Sequence, residues 1–259
     1  MDRHALDHEK LLVYQKALGF VPAAAGYAAR WSSAWSVTDH FVRASESIVV
    51  NLAGAASHRT KGSKAAGVDC ALGSALECAA CLDIAAAVGL LPAGEALRAK
   101  QPLAEIARML VGLRKSWVGQ IREDGVRYEV RGAQRAPDVL FSHERLDVYR
   151  VALDFARWFR VSWVGEGEPT GDARHIDVAM TTMALNVAEG NGRFSTTDHS
   201  RFLGMAERAA IKAAAYLDIA VVKQDLDADA AIEGNALLMR VVAMLARMIS
   251  PAQSGREAL

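Results

Sequence analysis

The sequence predicts an all-α protein: two tandem antiparallel up-down four-helix bundles joined by a charged linker. Three observations predict it. Apolar residues recur every three to four positions along most of the chain, as they do on the buried face of a helix. The chain also matches itself at an offset of 135 residues without a gap, a period long enough for a whole domain rather than a solenoid unit. Finally, glycine-containing breaks fall between the periodic stretches, and short connections between long helices imply antiparallel neighbours.

Leu11, Tyr14, Leu18 and Val21 set out the first helix, and Phe41, Ala44, Ile48 and Leu52 the second. The stretch from about Ser63 to Val88 is rich in alanine, which favours helix and lets neighbouring helices approach closely. Leu103, Ile106, Leu110, Leu113 and Trp117 mark a fourth helix. In the second half the stripes are Leu146, Tyr149 and Leu153, then Ile176, Ala179, Met183 and Val187, and finally Leu238, Val241, Leu245 and Met248. Breaks are expected at 31–37, 89–94, 165–171 and 190–192. The predicted organisation is a first bundle over 1–118, a linker over 119–141, a second bundle over 142–250 and a tail over 251–259. Around Asp124-Gly125 the linker alternates apolar and charged residues, which suits either a small β-hairpin or a solvated charged segment.

The repeat is strongest at its start. His8-Glu9-Lys10-Leu11-Leu12-Val13-Tyr14 aligns with His143-Glu144-Arg145-Leu146-Asp147-Val148-Tyr149, and eight of the first thirteen positions are identical. His40 aligns with His175, Asn51 with Asn186, and Leu82-Asp83-Ile84-Ala85 with Leu217-Asp218-Ile219-Ala220.

Composition excludes several classes. A chain of 259 residues with 52% hydrophobic content and 6 prolines can bury a core or two, so extensive disorder is not expected. Thirty basic and thirty acidic residues cancel, so no global field draws nucleic acid or an acidic membrane. Residues 1–120 carry 13 basic and 10 acidic groups, 121–141 carry 4 of each, and 142–259 carry 13 and 16. The halves therefore differ in sign, which would steer one onto the other. No signal peptide or membrane span is expected, since the most apolar window, Cys78 to Leu91, is short and contains Asp83. Three cysteines crowded between 70 and 81 make no disulfide framework, and a cytoplasmic location is the expectation.

Asn186-Val187-Ala188-Glu189-Gly190-Asn191-Gly192-Arg193 resembles the Asn-Ile-Ala-Glu-Gly-x-Gly-Arg signature of the four-helix-bundle proteins encoded in 23S rRNA intervening sequences. These proteins are in turn similar to accessory variability proteins of diversity-generating retroelements. Leu11-Leu12-Val13-Tyr14-Gln15-Lys16-Ala17 resembles the family's opening Leu-x-Val-Trp-Gln-x-Ala. Gly73-Ser74-Ala75-Leu76-Glu77 is similar to its Gly-Ser-x-x-Glu element. The halves depart from the pattern in complementary ways. Asn51-Leu52-Ala53-Gly54-Ala55-Ala56 has lost the glutamate and the turn glycines, and Arg208-Ala209-Ala210-Ile211-Lys212 has lost the Gly-Ser-x-x-Glu element. The resemblance implies a four-helix bundle, ring-like homo-oligomers and, for the retroelement proteins, binding to RNA and a reverse transcriptase.

The candidate sites follow. Arg59, Lys61 and Lys64 before the third helix, with Arg122, Arg127, Arg131 and Arg135 in the linker, are the basic clusters that could meet RNA phosphates. Glu189 and Arg193 flank a two-glycine turn, where Gly190 would supply a positive φ and the ion pair would tie the ends or meet a partner. His8 with His143, and His40 with His175, are repeated but lack a second ligand at helical spacing. Asp83 and Asp218, inside the Leu-Asp-Ile-Ala element, read as acids on an exposed turn of the bundle, with a buried acid as the alternative. Cys70, Cys78 and Cys81 could suggest a metal, but their counterparts Met205, Ala213 and Tyr216 share no ligand chemistry, and small buried thiols are the expectation. No phosphate loop, nucleophile elbow or di-iron helix pair is present, so no enzyme, cofactor or metal is expected. The first functional reading is a self-assembling adaptor for RNA or an RNA-handling partner such as a reverse transcriptase. The competing one is a scaffold that binds no nucleic acid.

Overall fold

A computed structural model describes residues 6–118 and 139–249. It contains eight α-helices among the described residues and no strand: α1 Leu12–Ala28, α2 Ser36–Ser57, α3 Lys61–Ala87, α4 Ala93–Val118, α5 Asp147–Phe159, α6 Gly171–Asn191, α7 Thr196–Val222 and α8 Ala228–Ile249. Short 3-10 turns, Asp7–Lys10 and Ser142–Arg145, precede α1 and α5, and a π turn, Arg160–Val164, prolongs α5. The hairpin considered for the linker, and Arg122, Arg127, Arg131 and Arg135 with it, lie outside the described residues.

Helix ends have local causes. Thr60 caps α3 by accepting from the Ser63 backbone N–H at 3.2 Å, and Ser195 caps α7 by accepting from Asp198 N–H at 3.3 Å. Asp227 accepts from the N–H groups of Asp229 and Ala230 at the start of α8. Gly89, with φ +77°, ends α3 in the left-handed region that glycine adopts without strain.

Within each half, helices neighbouring in sequence pack against one another, and each half closes on itself, α1 against α4 and α5 against α8. Elements recur in register. The starts Asp7, Leu12, Ser36, Lys61 and Ala93 return 135 residues later as Ser142, Asp147, Gly171, Thr196 and Ala228.

The halves are joined by α3, which packs against α6 and α5, while α2 also touches α6. This explains why α3 shows little polar face. Leu72, Leu76, Ala80, Leu82 and Ile84 point in different directions and are all buried, because helices surround α3. By length and composition α3 could cross a membrane, yet 72% of its most apolar window is buried inside the protein.

Candidate functional site

The polar residues of interest gather along the seam between α3 and the second half. The first group sits where α6 ends. Arg193 donates to Glu189, its guanidinium lies 4.4 Å from the Phe202 ring centre, and a longer bond reaches the Asp69 carbonyl at 3.5 Å. Both side chains press on α3 at Gly73, where a Cβ would stand 2.8 Å from Glu189 Oε1 and 3.0 Å from Arg193 Nη2. Burial pushes the Glu189 carboxyl above its usual range, Arg193 opposes this, and the Glu77 charge adds to it. Glu77 in turn meets His40 Nδ1 at 3.2 Å.

The Gly-Ser-x-x-Glu element kept by the first half and the Glu-Gly-x-Gly-Arg element kept by the second therefore converge on one seam. This corrects the expectation of an exposed turn, since the Glu189 and Arg193 side chains are only 20% and 11% exposed. It also corrects the role of the glycines. Neither Gly190 nor Gly192 has a positive φ. A Cβ on Gly190 would lie 2.9 Å from Phe202 Cβ on α7, and one on Gly192 would lie 2.0 Å from Leu76 Cδ1 on α3. What the two glycines provide here is close approach of the end of α6 to the Phe202 and Leu76 side chains.

The second group was not foreseen. Lys100 of α4 is buried and donates to Asp83 Oδ1 at 2.6 Å and to Glu144 Oε1 at 2.8 Å. Tyr149 donates to Asp83 Oδ2 at 3.0 Å, and the Leu140 N–H to Glu144 at 2.8 Å. His143 is fully buried beside them, stacked on Phe141, and neither ring nitrogen has a hydrogen-bond partner. Burial and then the Lys100 charge push its pKa down to about 3, so the ring is neutral. Asp83 is thus no exposed turn residue, although its counterpart Asp218 is exposed. Asp83, His143 and Glu144 present ligand atoms within 4.8 Å of one another, and the cation between the two carboxylates is the Lys100 ammonium.

Asp177 of α6 completes the seam. Buried, it accepts from the Ser36 N–H at 2.7 Å and so caps α2 from the other half of the chain. Burial raises its pKa to about 6 against the lowering effect of Ser36. A carboxyl raised in the folded state contributes most below its unfolded pKa, and that contribution is lost as pH climbs through about 6. Asp177→Asn should therefore stabilise the protein at pH 7.5 by about 1–2 kcal/mol and leave a smaller difference at pH 5, read from urea midpoints at the two pH values. No sequence signal marked Asp177, whose counterpart is Val42.

The remaining candidates are dispersed. His175 is exposed and stacked on Tyr216 at 4.6 Å. His8 lies edge-on to Tyr14 at 4.7 Å, the same arrangement and distance that His143 makes with Tyr149. Cys78 and Cys81 are buried with their thiols pushed well up by burial, whereas Cys70 is exposed, against expectation. Arg59 and Lys61 are exposed and form no ion pair with the described residues, while Lys64 lies over the Trp117 ring at 4.8 Å. A shallow groove opens between Leu11, Leu12, Met109 and Leu113, and no ionisable side chain lines it.

Positions buried in the seam have counterparts that stand open to solvent. Leu76 on α3 is 0% exposed and Ile211 on α7 is 52% exposed. Phe141 is 1% exposed against 62% for Leu6, and Leu185 on α6 is 4% exposed against 69% for Val50 on α2. Ile219 and Val222 extend the open stripe of α7.

Residues 9–112 match the family model of the 23S rRNA-intervening sequence protein, a span running from the turn before α1 into α4. No curated protein and no solved structure matches the chain.

Proposed function

We propose that this chain, whose residues 9–112 match the 23S rRNA-intervening sequence protein family, is a non-catalytic adaptor that assembles head to tail through two bundles descended from one unit. The observation that carries this reading is the one-sidedness of the seam. A two-fold contact between related halves would pair α3 with α6 and, equally, α7 with α2. Only the first pairing is substantial here. Such a heterologous contact leaves one complementary face unused at each end, and further copies can fill them in a ring or a filament. The unused faces are the α7 stripe of Ile211, Ile219 and Val222, and the surface of Leu6, Val50 and the turn before α1. Both are more apolar than a solvated face requires.

A non-catalytic role accords with chemistry spent on internal contacts, since Lys100 is bound to Asp83 and Glu144, and Arg193 to Glu189. For the RNA part of the reading, Arg59 and Lys61 flank the start of α3, exposed and with no acidic partner among the described residues, and lysine and arginine of this kind bind phosphates with strong salt dependence.

Mass measurement in solution tests the proposal. The wild-type chain should weigh a multiple of 27.8 kDa, and the double variant Ile211→Asp with Val222→Asp should weigh a single chain with unchanged helicity. Adding single-stranded RNA at low salt should give a complex that Arg59→Glu with Lys61→Glu weakens about tenfold or more. A wild-type chain that stays single at high concentration rejects self-assembly. An unaltered RNA affinity in the charge-reversed protein rejects that surface and leaves a scaffold without nucleic acid.

A further inference from the structure

The seam inside one chain carries its own counter-ion, and the seam between chains would not. Inside, Asp83 and Glu144 converge with the His143 ring beside them, and the Lys100 ammonium bridges the carboxylates at 2.6 and 2.8 Å. Shifted by 135 residues, Asp83 becomes Asp218 on the open face of α7, while Glu144 and His143 correspond to Glu9 and His8 on the open face before α1. Lys100 becomes Asn235, a neutral amide.

Two local contacts of the filled face recur on the open one. His8 makes with Tyr14 the edge contact that His143 makes with Tyr149, at the same 4.7 Å. Gln15 donates to the Glu9 carbonyl at 3.0 Å, and its counterpart Arg150 donates to the Glu144 carbonyl at 3.1 Å. The nearest positive charge in sequence, Lys10, is engaged by Asp7. Docking α7 of one copy on the turn before α1 of the next would bring Asp218 and Glu9 together in a covered place with no ammonium between them. Buried like charges demand a counter-charge.

We propose that a divalent metal ion occupies the lysine's place at the seam between chains, held by the carboxylates of Asp218 and Glu9 and the imidazole of His8, so that assembly depends on metal. This rests on the head-to-tail reading above. The inner seam supports it twice: a cation sits between the equivalent carboxylates, and the equivalent imidazole is fully buried with no partner on either nitrogen. One imidazole with two carboxylates suits Zn2+ or Mn2+ better than Mg2+, which retains its waters and prefers oxygen ligands.

The test compares association of the full chain in EDTA, in Zn2+ and in Mg2+ by sedimentation or mass photometry. Chelation should raise the concentration needed for assembly about tenfold or more, and Zn2+ should restore it where Mg2+ does not. Asn235→Lys should assemble in EDTA as readily as the wild type in Zn2+, and Asp218→Ala should cease to respond to Zn2+. Equal wild-type association in EDTA and Zn2+ overturns the metal while leaving head-to-tail assembly in place. A persisting Zn2+ response in Asp218→Ala overturns the site. Single chains under every condition, Asn235→Lys included, overturn the assembly reading and this inference together.

Discussion

Lys100→Met should lower the unfolding free energy at pH 7.5 by about 3–5 kcal/mol, because it leaves two buried carboxylates facing each other without their cation. The methionine fills most of the volume of the lysine stem, so the loss is electrostatic rather than a cavity. Its pH dependence separates it from a packing defect. Burial already pushes the Glu144 carboxyl up even with Lys100 in place, and removing the ammonium pushes it further. A carboxyl raised in the folded state contributes stability below its unfolded pKa and loses it as pH rises through the folded one. The deficit of the variant should therefore grow from pH 5 to pH 8. Adding Glu144→Gln should recover a large part of it, since the amide oxygen can still accept from Leu140 while one charge is gone. Urea denaturation of the single and double variants across that range is the measurement. A deficit that is flat with pH and insensitive to Glu144→Gln would show that the cluster is not held by charge.

Arg193→Ala should cost about 3 kcal/mol or more at neutral pH. It strands Glu189, which faces Gly73 and feels Glu77 across the seam, and it uncovers Phe202. Glu189→Gln in the same chain should restore stability by removing the stranded charge, whereas Glu77→Gln should restore a smaller share, since His40 also meets Glu77. Thermal melts of the wild type, Arg193→Ala, Glu189→Gln and the double variant of these two form a double-mutant cycle, and strict additivity would contradict the contact.

Helix existence and order were legible in the residues, and so was the register of the two halves. The stripe Phe41, Ala44, Ile48 and Leu52 is buried as its spacing requires, whereas α1 buries Val13, Ala17, Phe20 and Ala24 and leaves Leu18 of the expected stripe exposed. Caps at Thr60 and Ser195 are local chemistry, set by residues three positions apart. The seam was only half legible. Complementary loss of the Glu-Gly-x-Gly-Arg and Gly-Ser-x-x-Glu elements hinted that the halves divide one set of residues, but Lys100 and Asp177 carry no motif at all, and Glu144 was marked only by its repeat in Glu9. Their importance comes from which helix lies opposite, a relation between residues up to 141 positions apart.

The sequence by itself determined the helices, their order and the equivalence of positions in the two halves, because each depends on spacing and neighbours along the chain. Only the tertiary structure decided that Glu189 and Arg193 are packed rather than exposed, that the signature glycines serve close approach, and that Asp83 is paired while Asp218 stands open. Equivalent residues take opposite environments because α3 is covered on all sides and α7 is not. That difference is set by the docking of one half on the other, which no periodicity within either half encodes.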